Sequence, residues 1–342
     1  MLEESPKQEQ PFTIGNRAVR NAAFLAPMSG VTDVPFRRLA WRYGAGMVVS
    51  EMVASEALTT GMDEMVLKAA GAGLPDHMVQ LAGREPQWMD RATRMAEDAG
   101  ATIIDINMGC PSKRVTNGYS GSALMRDLDN AEGLINAVVA ATDLPVTLKM
   151  RLGWDEQSIN APELARRAEN AGVQMLTVHG RTRNQFYKGT ADWDAIRAVR
   201  EASRLPLVVN GDICDEATAC AALIASGADG VMIGRASYGA PWLPGQIGAA
   251  LAGTPVPETP SGEHLAALVC EHVDAMLSHY GLELGLRNAR KHIDWYAAHL
   301  PKDVRKSPLR RAIMTGTDAT EVLSMVEKLF SQSQVAPIRT AA

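Results

Sequence analysis

The sequence predicts a closed (β/α)8 TIM barrel followed by a small all-α helical domain. Eight short apolar runs recur between residues 21 and 235, and segments with helical spacing separate them. The runs are almost continuously apolar, as expected of parallel strands that are covered on both faces. Eight strand-helix units within about 250 residues favour a closed barrel over an open doubly wound sheet.

The eight predicted strands follow one another at a regular spacing. In chain order they are "NAAFLAPM", "GMVVSEM", "HMVQLAG", "TIIDINMG", "PVTLKMR", "QMLTVHG", "PLVVNGD" and "DGVMIGR". Between them, stretches such as "EPQWMDRATRMAEDAG" and "NAPELARRAENAG" place apolar residues at helical intervals. Both stretches end in glycine, which is typical of a helix C-terminus.

The pattern changes after residue 252. The stretch "GTPVPETPSG" is rich in Pro, Gly and Thr and predicts a linker. Two long helices are then predicted by "EHLAALVCEHVDAMLSHYG" and "LGLRNARKHIDWYAAHL", and two shorter ones follow. We therefore expect a barrel domain at residues 1–252 and a helical domain at residues 253–342, the latter ordered to about residue 331.

The composition is that of a globular protein, since 46% of the 342 residues are hydrophobic and 21% are charged. The formal net charge of −5 gives no global sign of nucleic-acid binding, so such binding would depend on a local patch. The polar start "MLEESPKQEQPF" lacks the apolar core of a secretion signal, and no apolar run reaches the length of a membrane span. We expect a cytoplasmic protein, with a monomer as the default state.

Each predicted strand ends in polar or otherwise special residues, which are Met28, Glu51, Gln80, Asn107, Lys149, His179, Asn210 with Gly211 and Asp212, and Gly234 with Arg235. A single polar residue there only marks the end of a strand. In a barrel, however, these ends converge on one face, where active sites lie. Eight consecutive ends of this kind predict a shared pocket.

The last two strand ends, "NGDI" and "IGRASYGAPW", predict a phosphorylated ligand. The loops after strands 7 and 8 of such barrels often hold a phosphate, because glycine lets backbone N–H groups approach the anion. No Rossmann or Walker A fingerprint is present. If a redox cofactor is bound, flavin mononucleotide (FMN) suits a barrel better than a dinucleotide does.

Lys149 and His179 end adjacent predicted strands and leave several roles open. Lys149 could form a Schiff base, hydrogen-bond an electron-rich cofactor, or make a salt bridge at the barrel rim. His179 could contact phosphate or substrate, or be a structural hydrogen-bonding residue.

Cys110 lies in the Gly/Pro turn "INMGCPSKR", directly after an apolar run. The chain's four cysteines include no CxxC pair, which indicates neither a zinc site nor a disulfide framework. Three roles remain open for Cys110: a buried structural thiol, a nucleophile whose pKa is lowered by nearby cations, and a protonated general acid.

A basic patch lies in the predicted helical domain. Between residues 287 and 311, eight Lys and Arg residues stand against two Asp residues, a net charge of +6, with Trp295 and Tyr296 in the middle. Such a cluster could track RNA phosphates and stack a base. The alternative is a solvated helical face whose aromatic residues pack inward.

Several motifs together resemble the bacterial tRNA-dihydrouridine synthase (Dus) family, most of all its B type. They are "APMSGVTDVPFR", "VQLAG", "DINMGCPSKRV", "GSALM", "LKMRLGW", "TVHGRTR", "NGDI", "GADGVMIGRA" and "RNARKHIDWY". The resemblance runs from about residue 12 to about residue 330, and the sequence around Cys110 is its most specific part. It implies a barrel with tightly bound FMN and a helical tRNA-binding domain.

The resemblance also implies an activity, the reduction of specific D-loop uridines in tRNA to 5,6-dihydrouridine with NADPH. This is an NAD(P)H-dependent oxidoreductase reaction on a CH–CH bond, with hydride transfer from flavin N5 to C6 and a proton from Cys110 to C5. For FMN it implies contacts by Pro27, Met28, Gln80, Lys149, His179, Asn210, Gly211, Asp212, Gly234 and Arg235. For the uracil and tRNA it implies Asn107, Lys113, Arg114, Arg181, Arg287, Arg290, Lys291 and Trp295, with Arg181 near either flavin or RNA.

The chain departs from the family pattern at Ala240, where many members have arginine. A phosphate or RNA contact from that position is therefore in doubt. Two rival functions are a flavin barrel that reduces a free pyrimidine, as dihydroorotate dehydrogenases do, and a lyase that uses Lys149 as a Schiff base. The first has no use for the basic patch, and the second would be colourless.

Overall fold

The computed structural model describes residues 12–331 of the chain. The predicted absence of a secretion signal concerns residues that lie largely outside this range. A short antiparallel ribbon, Thr13–Ile14 with Arg17–Ala18, comes first. The barrel strands are β1 (Ala23–Leu25), β2 (Met47–Ala54), β3 (Met78–Ala82), β4 (Ile103–Met108), β5 (Val146–Arg151), β6 (Met175–His179), β7 (Leu207–Asn210) and β8 (Gly230–Ile233).

The eight strands form one closed parallel barrel in the order β8-β1-β2-β3-β4-β5-β6-β7. Pairing of Val231 with Ala23 closes it. The predicted barrel and all eight predicted strands are confirmed. Strand β1 is shorter than predicted, and β2 extends two residues beyond its predicted end, with a register shift between Val49 and Met52.

Helices follow the strands and continue beyond the barrel. They are α1 (Val34–Arg42), α2 (Ser55–Thr59), α3 (Asp63–Ala69), α4 (Pro86–Asp98), α5 (Lys113–Thr116), α6 (Leu128–Ala141), α7 (Ala161–Ala171), α8 (Arg197–Ala202), α9 (Glu216–Ser226), α10 (Leu243–Leu251), α11 (Gly262–Tyr280), α12 (Leu282–Ala298), α13 (Lys302–Arg305), α14 (Pro308–Thr315) and α15 (Ala319–Ser331). Short 3-10 helices occupy Gly121–Arg126, Asp194–Ile196 and Arg235–Ser237. Between α12 and residue 331 the structure has three helices, where two were predicted.

Local sequence explains where these helices begin and end. Asp215 starts α9 with a capping box, in which its Oδ1 accepts from Thr218 N at 2.8 Å and Thr218 Oγ1 accepts from Asp215 N at 3.0 Å. Helix α7 ends at Gly172, whose φ of 100° is the left-handed conformation that glycine adopts without strain. The predicted glycine stop of α7 is therefore confirmed.

The barrel interior is apolar at the N-terminal ends of the strands. Its core is one cluster that includes Phe24, Met47, Val49, Met78, Ile103, Met175, Val208 and Met232. Ile14 from the N-terminal ribbon and Val19, which directly follows it, belong to the same cluster and cover that end of the barrel. Burial of each such side chain contributes about 1.5–3 kcal/mol. The N-terminal end of the barrel is thus filled by apolar side chains, and the polar residues lie at the C-terminal end.

The helical segment 262–331 packs against the rim of the barrel's C-terminal face. Tyr280 Oη donates to Asp33 Oδ2 at 3.0 Å, in the loop after β1. The rings of Trp295 and Tyr238 are stacked with centroids 4.2 Å apart, so α12 also covers the loop after β8. None of the helices between residues 12 and 331 combines the length and apolarity that a membrane span requires.

Candidate active site

Buried polar side chains form a ring at the C-terminal ends of the strands. Because side chains alternate along a strand, residues two apart point to the same face. Beyond the apolar interior cluster, the inward faces therefore carry the buried side chains Gln80, Asp105, Asn107, Lys149, His179 and Asn210. Most of the predicted strand-end residues are thus brought together in one place.

The loop after β4 carries Cys110, and the side chain of Asn107 holds it in place. Asn107 Oδ1 accepts from the backbone N–H groups of Gly109 at 3.2 Å and Cys110 at 3.0 Å. From above, Ser122 donates to Cys110 O through both its backbone N, at 3.1 Å, and its Oγ, at 2.8 Å. Gly121 is required beside this contact, because its φ is 61° and an added Cβ would lie 2.9 Å from Cys110 O.

A chain of buried hydrogen bonds supports Asn107 from below. Asn107 Nδ2 donates to Gln80 Oε1 at 2.7 Å, and Gln80 Nε2 donates to Asp105 Oδ2 at 2.7 Å. Thr147 Oγ1 donates to the other oxygen of Asp105 at 2.6 Å. Burial raises the pKa of Asp105 to about 6, although hydrogen bonds from Thr147 and Gln80 favour the charged form. The acceptor-only carboxylate thereby fixes the orientation of both amides.

The environment of Cys110 keeps its thiol protonated. Burial raises the pKa of Cys110 above its ordinary value, and this outweighs a backbone hydrogen bond at Ser112 and the charges of Arg151 and Lys149. Lys113 and Arg114, which the sequence places beside the cysteine, are exposed on α5. Of the three roles considered for Cys110, a protonated acid fits these surroundings better than a thiolate nucleophile does.

Lys149 lies across the β4–β5 register from Asn107 and is 8% exposed. Its Nζ donates to Asn210 Oδ1 at 2.9 Å, and no carboxylate among residues 12–331 lies within 4.0 Å of it. Within the described part of the chain, Lys149 therefore forms no salt bridge at the barrel rim. Burial, assisted by the charge of Arg151, lowers the pKa of Lys149 to about 8.

A second cluster lies at the ends of β6, β7 and β8. Asp212 accepts from Arg181 Nη1 at 3.0 Å and Nη2 at 2.5 Å, from Ala191 N at 2.8 Å and from Arg235 Nη2 at 3.1 Å. Burial raises the pKa of Asp212, but these donors outweigh it and leave the pKa below its usual value. Burial and the surrounding cations hold the pKa of His179 well below its usual range, so the ring is neutral.

Arg181, which the resemblance places near either flavin or RNA, is buried. Its side chain is 1% exposed and lies behind Asp212, where the bidentate pair and the carbonyls of Lys188 and Gly189 use its donors. Gln80 is likewise 1% exposed, and both ends of its amide have protein partners. Pro27, Met28 and Gly234 lie at the ends of β1 and β8 and are partly exposed.

The basic patch is divided between exposed and engaged residues. Arg287, Lys302, Lys306 and Arg311 are exposed. Arg290 donates to Gly316 O at 2.7 Å, and Arg310 forms an ion pair with Asp294. Burial lowers the pKa of Lys291, which lies beside Gly30 in the loop after β1. Tyr296 is buried, which agrees with the alternative that the aromatic residues of the patch pack inward. One face of Trp295 is stacked on Tyr238.

Three residues at the site were missed from the sequence. Asp105 looked like part of a strand, although its position two residues before Asn107 puts both on one face. Arg151 follows Lys149 by two residues, and its Nε donates to Gly109 O at 2.8 Å, next to the thiol. Tyr187 has no sequence signal, and its half-exposed ring lies 5.5 Å from Arg151 Cζ and 4.8 Å from Arg235 Cζ.

Comparison with known proteins gives a consistent result. A family model described as Dihydrouridine synthase (Dus) matches residues 24–334. A probable tRNA-dihydrouridine synthase from Rhodobacter capsulatus is 55% identical over 91% of this chain and 95% of that protein. A tRNA-dihydrouridine synthase B from Xanthomonas campestris pv. campestris is 42% identical over 97% of this chain and 99% of that protein.

Among solved structures, a 6-hydroxypseudooxynicotine amine oxidase from Pseudomonas geniculata N1 is similar, with a TM-score of 0.55 and 15% identity over 78% of this chain and 52% of that chain. At this identity the likeness concerns the barrel fold alone. The family model and the two relatives confirm the resemblance read from the motifs, the B type included. The chain therefore belongs to the dihydrouridine synthase family.

Proposed function

We propose that this protein reduces specific D-loop uridines of tRNA to 5,6-dihydrouridine, with tightly bound FMN as cofactor and NADPH as reductant. The observation that carries the proposal is that Asn107, which fixes the Cys110 loop, lies opposite the buried Lys149 in the β4–β5 register. Family membership supports the same reaction class, an oxidoreductase acting on a CH–CH bond.

The residues at the mouth of the barrel fit FMN. Lys149 is buried and has no carboxylate partner among residues 12–331, which is costly unless an electron-rich group lies against it. At the end of β8, Gly234 leaves open space, since an added Cβ would find its nearest heavy atoms at 3.8 Å on Ala26 and 3.9 Å on Met28. Arg235, half-exposed at the start of a 3-10 helix, offers a cation where such barrels hold phosphate.

We assign the contacts as follows. Pro27 and Met28 would lie against the isoalloxazine, with Gln80 orienting the polar groups beneath it. Lys149 would hydrogen-bond the ring and stabilise negative charge on it. The ribityl chain and phosphate would be surrounded by His179, Asn210, Gly211, Asp212, Gly234 and Arg235. Asp212 is a charged acceptor, so it suits the ribityl hydroxyls, which can donate to it, and not the anionic phosphate. His179 is neutral and brings no positive charge, so Arg235 is the residue that suits the phosphate.

The residues of this chain control the proton. When bound, the flavin supplies the hydride that reaches C6 of the uracil, at the expense of NADPH. Cys110 donates its thiol proton to C5, and the resulting thiolate takes up a proton from solvent before the next turnover. Arg151 and Lys149, whose charges favour the thiolate, stabilise it in the interval. Asn107 would face the uracil from the base of the same loop.

Docking of tRNA would use the exposed part of the basic patch. A uridine in folded tRNA is stacked and must be extruded to enter a barrel mouth, so the enzyme needs a large contact surface outside the pocket. Arg287, Lys302, Lys306 and Arg311 are exposed in the helical segment that we propose as the tRNA-binding domain. Lys113 and Arg114 are exposed beside the Cys110 loop and would face RNA phosphates.

The purified protein tests this function. We expect a yellow protein whose flavin absorbance bleaches with NADPH, and dihydrouridine in an unmodified tRNA transcript incubated with both. Mapping of dihydrouridine in tRNA from a deletion strain would identify the uridines. A colourless protein that flavin cannot reconstitute would contradict the proposal. The Schiff-base alternative, which the lowered pKa of Lys149 would serve, predicts instead a borohydride-trapped adduct on Lys149.

A further inference from the structure

We propose that Arg126, Trp154 and Arg183 form a second RNA-binding surface, which holds backbone phosphates on the wall of the barrel mouth opposite the helical segment. We call these three residues the Trp154 clamp. The proposal rests on the proposed function only in taking tRNA as the substrate. Trp154 and Arg183 are the last residues of the motifs "LKMRLGW" and "TVHGRTR", and Arg126 directly follows "GSALM". None of the three was assigned to the pocket or to the basic patch described above.

Two guanidinium groups stack on one indole in the clamp. Arg126 Cζ and Arg183 Cζ each lie 4.5 Å from the centroid of the Trp154 ring. Arg183 Cζ also lies 4.9 Å from the Phe186 ring. Stacking on an aromatic face fixes the guanidinium in place. Arg183 Nη1 also donates to Asn184 Oδ1 at 3.1 Å and Nη2 donates to Thr116 Oγ1 at 3.2 Å, which leaves each terminal nitrogen one further N–H for an oxyanion.

No carboxylate of the described residues neutralises the clamp. Among residues 12–331, neither arginine is within 4.0 Å of a carboxylate oxygen, and Arg183 Nε is buried without a hydrogen-bond partner. The carboxylates of Asp127 and Asp155, which are next to the clamp residues in sequence, accept local hydrogen bonds instead. Asp127 caps α6 by accepting from Asn130 N, and Asp155 accepts from Ser158 Oγ. Two adjacent cations without a counter-charge are a site for an anion with more than one charged group.

The clamp is joined to the loop that carries the proposed acid. Arg183 Nη2 donates to Thr116 Oγ1 at 3.2 Å, in the helix that follows Cys110. Arg126 ends the 3-10 helix whose Ser122 binds the carbonyl of Cys110. Arg183 N donates to Gly153 O at 3.0 Å, which ties the loop after β6 to the loop of Trp154 after β5.

Barrel topology places the clamp across the mouth from the helical segment. In the closed order, β5 is four strands from β1 in either direction, so their loops lie on opposite walls. Helix α12 covers the loops after β1 and β8, through Gly30 and Tyr238. An RNA strand whose uridine enters the pocket would have its flanking phosphates held on both sides, which neither surface can do alone. A continuous polyanion fits this arrangement better than a free mononucleotide does.

The test is tRNA binding as a function of salt, using the flavin-loaded protein and an unmodified transcript. Between about 50 and about 200 mM KCl, each lost phosphate contact reduces the slope of log K against log salt by about 1. We expect R126Q/R183Q to raise Kd about tenfold at the lower salt and to flatten the slope by about 1–2. Arg204→Gln is the matched control, because Arg204 is exposed and precedes β7 at the opposite end of the barrel.

Two further variants separate charge from folding. Trp154→Leu keeps both charges but removes the stacking surface, so Kd should rise while the slope stays near that of the wild type. R126K/R183K should restore the slope. If R126Q/R183Q binds tRNA like Arg204→Gln, the proposal is overturned. It is also overturned if tRNA binding is unchanged but the KM for NADPH rises, which would assign the clamp to the dinucleotide. Failure of the proposed function is distinguishable, because the wild type would then bind tRNA without forming dihydrouridine.

Discussion

Asn107 Oδ1 accepts the backbone N–H of Cys110 at 3.0 Å, so a side chain from the barrel interior fixes the loop that carries the proposed acid. The same oxygen accepts from Gly109, and the amide is oriented by Gln80 and, through Gln80, by Asp105. The position of the Cys110 thiol therefore depends on the carboxylate of Asp105, which precedes Asn107 by two residues in the same strand.

Replacing Asn107 by Ala tests that dependence. The change leaves two N–H groups without their acceptor, which costs about 1–3 kcal/mol per buried group and should loosen the loop. We expect faster alkylation of Cys110 by iodoacetamide and slower uridine reduction, with flavin reduction by NADPH little changed. Asn117→Ala is the control, because Asn117 is exposed on the same loop. An unchanged alkylation rate would mean that Asn107 does not position the thiol.

The pKa of Cys110 gives a second prediction. Burial raises this pKa, so the rate of iodoacetamide alkylation should rise with pH to a midpoint above the ordinary thiol value of about 8.5. Arg151 lowers the same pKa by its charge, and Arg151→Met should therefore move the midpoint still higher. Cys110→Ser measures the background from the other cysteines. A midpoint below neutrality would identify a thiolate and contradict the role of acid.

Asp212 is expected to stabilise the fold through the buried guanidinium of Arg181. Asp212→Asn removes the charge that pairs with Arg181 and should lower the free energy of unfolding by about 3 kcal/mol. Asparagine tolerates the φ of 54° at this position, so backbone strain does not confuse the result. Urea denaturation measures the difference, and Asp90→Asn, which breaks an exposed pair with Arg94, should leave stability almost unchanged.

The sign of the pH dependence follows from the pKa of Asp212, which is below its usual value in the folded protein. Its contribution is present above the unfolded pKa of about 3.9 and is lost as pH falls through the folded pKa. The difference between wild type and Asp212→Asn should therefore be constant from about pH 5 to about pH 8 and shrink below about pH 4. A difference that disappears at neutral pH would contradict the ion pair.

The exposed basic residues of the helical segment should contribute to tRNA affinity. Replacing Arg287, Lys302, Lys306 and Arg311 by Gln should weaken tRNA binding and flatten its salt dependence. Arg290 and Lys291 are not used for this test, because replacing them would also remove contacts within the protein. Arg290 donates to Gly316 O, and Lys291 packs beside Gly30. Filter binding measures the slope, and a slope equal to that of the wild type would exclude this surface as a docking site.

The barrel could be predicted from the sequence because each strand repeats the same local signal. Alternation then put Lys149, His179 and Asn210 at one end of the barrel, and the structure brings them together. Contacts between side chains of different loops could not be predicted in the same way. The contact of Arg181 with Asp212 joins residues 31 positions apart, and that of Arg126 with Trp154 joins two loops. Such contacts depend on loop paths, which no periodicity encodes.

The role of Cys110 is the central claim, and Cys110→Ala measured in two half-reactions tests it most directly. Stopped-flow absorbance would follow flavin reduction by NADPH, and then flavin reoxidation by tRNA in a single turnover. We predict that reduction stays near the wild-type rate, while reoxidation and dihydrouridine formation fall by about 10² to 10⁴, the usual contribution of a general acid. Cys214→Ala should leave both rates unchanged. Dihydrouridine formed at the wild-type rate by Cys110→Ala would contradict the account.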